Sequence, residues 1–222
     1  MATSKSKLVS VITGDIIGST QLSAADRKPM VKAMNSLGDM LAKAGYPLKS
    51  QEVFRGDSFQ LVLTETWQIL DVALLIRAYM RSVELESLQQ LDVRLGIGIG
   101  PVEFKAKNQN ESDGTAFRLA AQALENATKN NLANIWILTN NVPLDEHLNT
   151  INVAWETIVS RWTVAQSKSM QGSLQGLVQE EIANKLKVTQ PTITRSLQSA
   201  DDKVIHYLLE YCTKMISTYL EG

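Results

Sequence analysis

Between Arg94 and Gly100 every second residue from Gly96 onward is glycine, and Leu95, Ile97 and Ile99 fill the positions between. A period of two predicts a β-strand over residues 93–99, with one apolar face and one face almost bare of side chains. Glycines on such a face let something approach the backbone closely. The same run mimics a dinucleotide fingerprint, but it lies inside a strand and does not open a helix, so that reading is set aside.

Other elements fall into place around this strand. Leu8-Val9-Ser10-Val11-Ile12-Thr13 reads as a buried strand ended by Gly14-Asp15, and residues 26–44 have helical spacing up to Gly45 and Pro47. Residues 51–54 and 59–63 read as strands around a tight Arg55-Gly56-Asp57-Ser58 turn. Residues 67–88 form a long amphipathic helix, residues 102–104 a returning hairpin strand after Gly100-Pro101, and residues 105–113 a polar loop. A helix over 115–126 and a strand at Ile135-Trp136-Ile137-Leu138 complete a β-α-β-β-α-β-α-β order. Its first six elements match a ferredoxin-like core. No strand is expected from Pro143 onward. The fold class is α+β: residues 1–140 form an α/β domain, and residues 141–222 a helical domain containing a helix-turn-helix.

Bulk properties narrow the function. A formal net charge of −1 argues against a chain coated in basic charge, so any nucleic-acid contact must be local. The single cysteine, Cys212, forbids an intrachain disulfide and fits a reducing cytosol; it reads as a packed core thiol. No stretch approaches a membrane span or a signal-peptide core, so the expectation is a cytoplasmic protein with no membrane partner. The only histidines, His147 and His206, read as helix-surface residues.

Two carboxylates stand out by position. Asp15 closes the first strand, before Ile16-Ile17-Gly18-Ser19-Thr20, and Asp57 occupies the hairpin turn. A ferredoxin-like sheet sets the first strand beside the hairpin, so both could converge at one sheet edge. Hard carboxylate ligands beside Gly, Ser and Thr amides suit Mg²⁺ or Mn²⁺ carrying a polyphosphate. The plainer alternative is that Asp15 caps a helix and Asp57 merely forms a turn.

At these residues Thr13-Gly14-Asp15-Ile16-Ile17-Gly18-Ser19-Thr20 resembles the first metal-binding loop of class III nucleotidyl cyclases. Gly56-Asp57-Ser58-Phe59 resembles their Gly-Asp hairpin, and the strand from Arg94 to Val102 is similar to their glycine-rich strand. Gly14-Asp15-Ile16, Arg55-Gly56-Asp57-Ser58-Phe59-Gln60, Gly114-Thr115-Ala116-Phe117-Arg118 and a C-terminal helix-turn-helix together resemble the SatD family. The resemblance implies Asp15 and Asp57 as metal ligands and Ile16, Gly18, Ser19, Thr20 and Glu111 in the phosphate and nucleotide set, with Arg55, two residues before Asp57, and Arg118 as cations that could reach a phosphate in place of the missing transition-state group. It also shows departures. The purine-selecting Lys of the cyclases is Val53 here, their transition-state Asn falls at Arg118, their transition-state Arg at Gln122, and their second base-selecting position at Glu111. The metal and phosphate end is retained, and the base-reading and transition-state end is rewritten.

Farther on, Val178, Ile182, Ala183 and Leu186 mark a short helix. Lys187-Val188-Thr189-Gln190 makes a turn, and Pro191 opens a second helix with Thr189 as its N-cap. Its outer face, Gln190, Thr192, Thr194, Arg195 and Gln198, has side chains suited to bases and phosphates. Seven basic and seven acidic residues over 151–222 predict weak nonspecific DNA affinity. Val204, Tyr207, Leu208, Tyr211, Met215 and Tyr219 form an apolar stripe, either core or the seam of a homodimer. The expected function is a DNA-binding regulator with a metal–nucleotide sensor domain. An active cyclase or nucleotidyl transferase, and an interaction scaffold, stand as alternatives; whether the chain is an enzyme stays open.

Overall fold

The computed structural model describes residues 8–54, 56–63, 66–87, 89–101 and 114–221. Strand β1 (Leu8–Ile16) does not stop at Gly14 but carries Asp15 and Ile16 into the sheet. The glycine is there for space, since a Cβ on it would strike the Phe59 ring and Leu95. One 3₁₀ turn, Ser19–Gln21, leads to α1 (Ala24–Asn35), whose first turn is capped by Ser23 Oγ accepting from the Asp26 amide at 3.1 Å.

The single helix expected over 26–44 is divided at Ser36 into α1 and α2 (Leu37–Lys43). Gln51 explains the break: its Nε2 donates to the Met34 carbonyl at 3.2 Å, and its side chain fills the space a Cβ on Gly38 would need. Strands β2 (Leu48–Phe54) and β3 (Ser58–Leu63) form the expected hairpin. Helix α3 (Ile69–Arg81) ends well before residue 88. The chain beyond it is claimed by the Asp26 carboxylate, which accepts the amides of Glu86 at 2.7 Å and Ser87 at 3.3 Å.

Strand β4 (Val93–Pro101), helix α4 (Thr115–Asn130) and strand β5 (Ile135–Leu138) follow. The expected strand at 102–104 and loop at 105–113 lie outside the described residues. Helices α5 (Val142–Val159), α6 (Val164–Leu174), α7 (Gln179–Leu186), α8 (Gln190–Ser199) and α9 (Asp202–Glu221) make up the rest, with no strand after residue 143 among the described residues.

The five-stranded sheet has the order β2-β3-β1-β4-β5, antiparallel throughout except for the β4–β5 pair. Alternation gives it two faces. Ile12, Ile16, Phe59, Leu61, Leu63, Leu95 and Ile97 join the core with α1, α2 and α3. On the opposite face Val9, Val11 and Val62 pack with Ala116 and Ala120 of α4. That helix lies directly on the bare side of β4: a Cβ on Gly96 or Gly98 would collide with the α4 backbone. The close approach foreseen for the glycines is thus by a helix. The arrangement is mixed α+β.

Helix α5 seals the open edge of β5 with polar side chains. Asp145 Oδ1 accepts the Thr139 amide at 2.8 Å, Asn149 exchanges two hydrogen bonds with Ile137 (2.9 and 2.7 Å), and Glu156 Oε2 accepts the Asn134 amide at 2.9 Å. Residues 145, 149 and 156 share one helix face, so the helix takes the place of a neighbouring strand along part of this edge. The apolar core does not divide near residue 140; one cluster runs from Ile12 through α3 to Ile216. At its centre Arg77, fully buried, forks onto Asp92 and Glu156, while Arg81 binds Asp92 and the Ser160 and Trp162 carbonyls.

Candidate functional site

Because β1 continues to Ile16, Asp15 is a rung of the sheet, paired with Ser58 of β3 on one side and Arg94 of β4 on the other. It caps no helix; that role belongs to Ser23. Asp57 lies in the β2–β3 turn, where Gly56 takes φ 80°, a left-handed conformation that an ordinary L side chain resists. Two bonds tie this turn to the loop after β1. The Ile16 amide donates to the Asp57 carbonyl at 2.9 Å, and Ser19 Oγ donates to Asp57 Oδ2 at 2.8 Å. Ser58 Oγ donates to the other carboxylate oxygen at 3.3 Å. A third bond, from the Ile17 amide to the Asp92 carbonyl at 3.0 Å, fixes the far side of the loop.

The electrostatics join the two carboxylates. Burial pushes the Asp15 carboxyl up from its ordinary value, the Arg94 guanidinium pulls it back, and the charge of Asp57 pushes it up again. Asp15 Oδ1 is buried and has no hydrogen-bond partner among the described residues, and neither has Arg94 Nε. An unpaired carboxylate oxygen beside a second carboxylate is what a hard divalent cation satisfies, so Asp15 and Asp57 fit Mg²⁺ or Mn²⁺ as ligands. Among the described residues no cluster of three or more His, Cys, Asp or Glu side chains is assembled.

The phosphate candidates are distributed unevenly. Gly18 takes φ 71°, and the amides of Gly18, Ser19 and Thr20 find no acceptor among the described residues. Ser19 and Thr20 line a cleft of about 130 Å³ with Gly56, Asp57 and Arg27. Arg27, on the outer face of α1, was not foreseen; only knowledge of how α1 crosses the hairpin turn would have found it. Ile16 is buried, and its amide is already used. Arg55 and Glu111 lie outside the described residues. Arg118 lies in the first turn of α4. It is exposed on α4, its Nη2 bonded to Thr115 Oγ1 at 3.3 Å. Its neighbours Ala116 and Ala120 abut Gly98, four residues or ~13 Å along β4 from Arg94. Gln122 is likewise exposed. A larger apolar cleft of about 680 Å³, between Trp136 and Leu138 of β5 and Val142 and Asn149 of α5, holds neither carboxylate of the candidate site.

In the helical part, α7 and α8 are joined by Lys187-Val188-Thr189, with Lys187 in the left-handed region at φ 57°. Ile182, Ala183, Ile193 and Leu197 are buried between the helices, while Gln190, Thr192, Thr194, Arg195 and Gln198 are exposed. Pro191 occupies the first turn of α8. Thr189 is at the N-cap position, but its hydroxyl bonds that of Thr192 at 2.9 Å and not an amide. Thr194 is partly spent on Gln179 Oε1, at 2.7 Å. Gly172 of α6 lets Ile182 sit against the helix. Val178, expected among the apolar packing positions, is exposed ahead of α7. The apolar stripe of α9 is also redistributed: Ile205, Leu209, Cys212 and Ile216 form the core, whereas Val204, Tyr207 and Tyr211 are exposed. Spacing selected a neighbouring helix face, since tyrosine and valine read as apolar without being buried. His206 is not simply a surface residue; Asp202 and Ser173 hold its Nε2 at 3.3 and 2.9 Å. No helix among the described residues is long and apolar enough to cross a membrane.

A profile of the SatD family matches residues 9–215. No curated protein matches the chain. Among solved structures, the dimeric guanylyl cyclase domain of the RhoGC fusion protein from the aquatic fungus Blastocladiella emersonii is similar at 17% identity, over 54% of this chain and 74% of that one, with a TM-score of 0.43. The guanylate cyclase domain of RhGC from Catenaria anguillulae, in complex with GTP, is similar at 18% identity over 52% and 72%, with a TM-score of 0.39. Neither superposition is close enough to carry a function across.

Proposed function

For a chain that belongs to the SatD family, we propose a DNA-binding transcriptional regulator whose α/β part senses a metal–nucleotide. The observation that carries the sensing half is the electrostatic coupling of Asp15, on a strand, to Asp57, in a turn, together with a buried Asp15 Oδ1 that has no hydrogen-bond partner among the described residues. Mg²⁺ or Mn²⁺ would be held there and would supply an anchor for a polyphosphate. Around it Ser19 orients Asp57, and the Gly18–Thr20 amides and Arg27 offer donors to phosphate oxygens. We read the β1–β4 order as ferredoxin-like and, within the one shared core, residues 1–140 as the sensing part and residues 141–222 as the helix-turn-helix part.

Support for the DNA half is the exposed outer face of α8, with Arg195 and Gln198 as base or phosphate contacts. The exposed Val204, Tyr207 and Tyr211 stripe on α9 supports a homodimer, since helix-turn-helix readers commonly engage two half-sites. The chain would act in the cytoplasm. Turnover is the second reading, favoured by the retained carboxylate pair. Against it stands the replacement of the cyclases' transition-state residues by Arg118 and Gln122, both exposed on α4.

Three measurements test the proposal. Mn²⁺ titrations followed by electron paramagnetic resonance should show binding that Asp57→Asn abolishes; absence of binding with or without nucleotide would end the sensing reading. A gel-shift on the chain's own promoter should weaken with Arg195→Ala, and no shift at low salt would leave the scaffold reading. Incubation with each nucleoside triphosphate and Mg²⁺ or Mn²⁺ should release no pyrophosphate. Release that Asp57→Ala eliminates would make the protein an enzyme.

A further inference from the structure

We propose that the cleft between β5 and α5 is a second ligand site, one that takes a small organic cation with an apolar body. It is independent of the metal reading, since neither Asp15 nor Asp57 lines it.

The fold leaves this cleft open for a definite reason. Trp136 and Leu138 are the register partners of Gly96 and Gly98, so they stand on the sheet face that α4 covers. Helix α4 is seated one strand away, on the glycines of β4, and both β5 side chains stay half-buried. Helix α5 runs along the far edge of β5, held there by Asp145 and Asn149. The space beside Trp136 and Leu138, bounded by α5 and by Leu132 just past α4, is about 680 Å³, within the range of small-molecule pockets. Val142 and Val153 complete its apolar wall. Leu132 and Val142 are 60% and 66% exposed, so apolar side chains meet water at its rim, as they do at binding clefts.

The polar lining fixes the charge of the ligand. Asn149 is spent on the amide and carbonyl of Ile137, and Thr150 Oγ1 donates to the Glu146 carbonyl at 2.7 Å. The two remaining polar residues are carboxylates, Asp145 and Glu146, and the lining holds no Lys, Arg or His. Neither carboxylate has an ion pair among the described residues. Asp145 Oδ1 accepts both the amide and the hydroxyl of Thr139, at 2.8 and 2.7 Å, which fixes the side chain and leaves Oδ2 for a ligand. Burial pushes this carboxyl up from its ordinary value while the Thr139 bonds pull it down, and a cation in the cleft would offset the cost of burial. A nucleotide or other anion would meet two negative charges and no cation. An apolar cation meets both carboxylates and, in the wall, the indole of Trp136, whose π-system attracts positive charge.

The test uses the full chain and two probes of one shape and opposite charge, tetraphenylphosphonium and tetraphenylborate, followed by equilibrium dialysis and tryptophan fluorescence. The phosphonium should bind at least roughly tenfold more tightly than the borate. Trp136→Phe should remove most of the fluorescence change while dialysis still detects binding. Asp145→Asn keeps an acceptor for Thr139 and removes the charge, and Glu146→Gln removes the other. Each should weaken the phosphonium about three- to tenfold and leave the borate unchanged or tighter. If Asp145→Asn fails to fold by circular dichroism, Glu146→Gln carries the test. Equal or tighter binding of the borate by the parent chain overturns the proposal, and so does an equal loss of both probes in the carboxylate variants, because apolar contact alone then explains the binding. No phosphonium binding by the folded parent chain also overturns it. Self-association in sedimentation that Glu146→Lys abolishes would then make the cleft a contact between copies of the chain.

Discussion

Replacing Arg77 by methionine should cost this chain a large part of its stability, and the structure says how much. Arg77 is fully buried and donates four hydrogen bonds of 2.7–3.0 Å, two to Asp92 and two to Glu156. With Arg81 the group is neutral, two guanidinium groups against two carboxylates whose side chains are each only 13% exposed. Methionine fills much of the volume but leaves one buried negative charge uncompensated, a change that costs about 3–5 kcal/mol. For a chain of this size each kcal/mol moves Tm by about 2–4 °C, so a fall of roughly 10 °C is expected in a thermal melt, and urea unfolding followed by circular dichroism should give the free energy directly. The pH dependence has a definite sign. Burial pushes the Asp92 carboxyl up, but Arg77 and then Arg81 overcome that and hold it below the usual carboxylate value of 3.8. Its contribution is therefore present above pH 3.8 and is lost as pH falls through the lower folded value. Without Arg77 the loss should begin at a higher pH, so the gap between parent and variant narrows below about pH 4 as both become protonated. A cost under about 1 kcal/mol at neutral pH would refute the view that this cluster holds the helices to the sheet.

Three further outcomes follow from individual contacts. Gly98→Ala should destabilise the fold by about 1–3 kcal/mol in urea, because its Cβ meets α4 backbone that cannot rotate aside. Gly100→Ala should cost less, since its nearest neighbour would be 3.1 Å away; equal costs would refute the reason given. Burial pushes the Cys212 thiol up to about 12, so Ellman's reagent at pH 8 should not react until the chain is unfolded, and rapid native labelling would contradict the packing. The hydrogen bond with Asp202 holds the His206 imidazole above its ordinary 6.5, against burial. The stabilisation it gives is thus complete below pH 6.5 and fades as pH rises through the folded value, and His206→Asn should abolish that fade. An NMR titration midpoint below 6.5 would contradict it.

Most of the α+β architecture is written in local pattern. The period-two glycines of β4, the Gly-Asp turn and the Pro191 helix start each act through backbone conformation, which neighbouring residues determine. What was illegible depends on long-range partners. Nothing near Ser36 announces that Gln51 will take the Met34 carbonyl and divide a helix. Nothing near residue 82 announces that Asp26 will capture the Glu86 and Ser87 amides. At the candidate site Asp15 and Asp57 stood out because turn and strand-end positions are local signals. Arg94 and Arg27 did not, since the first is a site residue only through the β1–β4 register and the second only through the path of α1. On α9 the choice between two adjacent apolar stripes was decided by α3, α5 and α8, which pattern alone does not see.

The same long-range partners bear on how a metal–nucleotide sensor would reach a DNA-facing helix. The loop after β1 is bound through the Ile17 amide to the Asp92 carbonyl. The Asp92 carboxylate is bound by Arg81, and Arg81 Nη2 donates to the Trp162 carbonyl at 2.8 Å. The Trp162 indole, fully within the core, donates to the Ala200 carbonyl at 3.0 Å, at the C-terminal cap of α8. From Arg81 onward each step involves a buried group, so a displacement there is not absorbed by solvent. Hydrogen bonds to charged groups contribute about 1.5–3 kcal/mol, the same range as the 1–3 kcal/mol over which effectors usually shift affinities. Arg94 is two residues from Asp92 on the same chain segment. A displacement of that segment would act on the residue where the route to α8 begins. Continuity alone does not make a switch, because coupling needs an element with two arrangements.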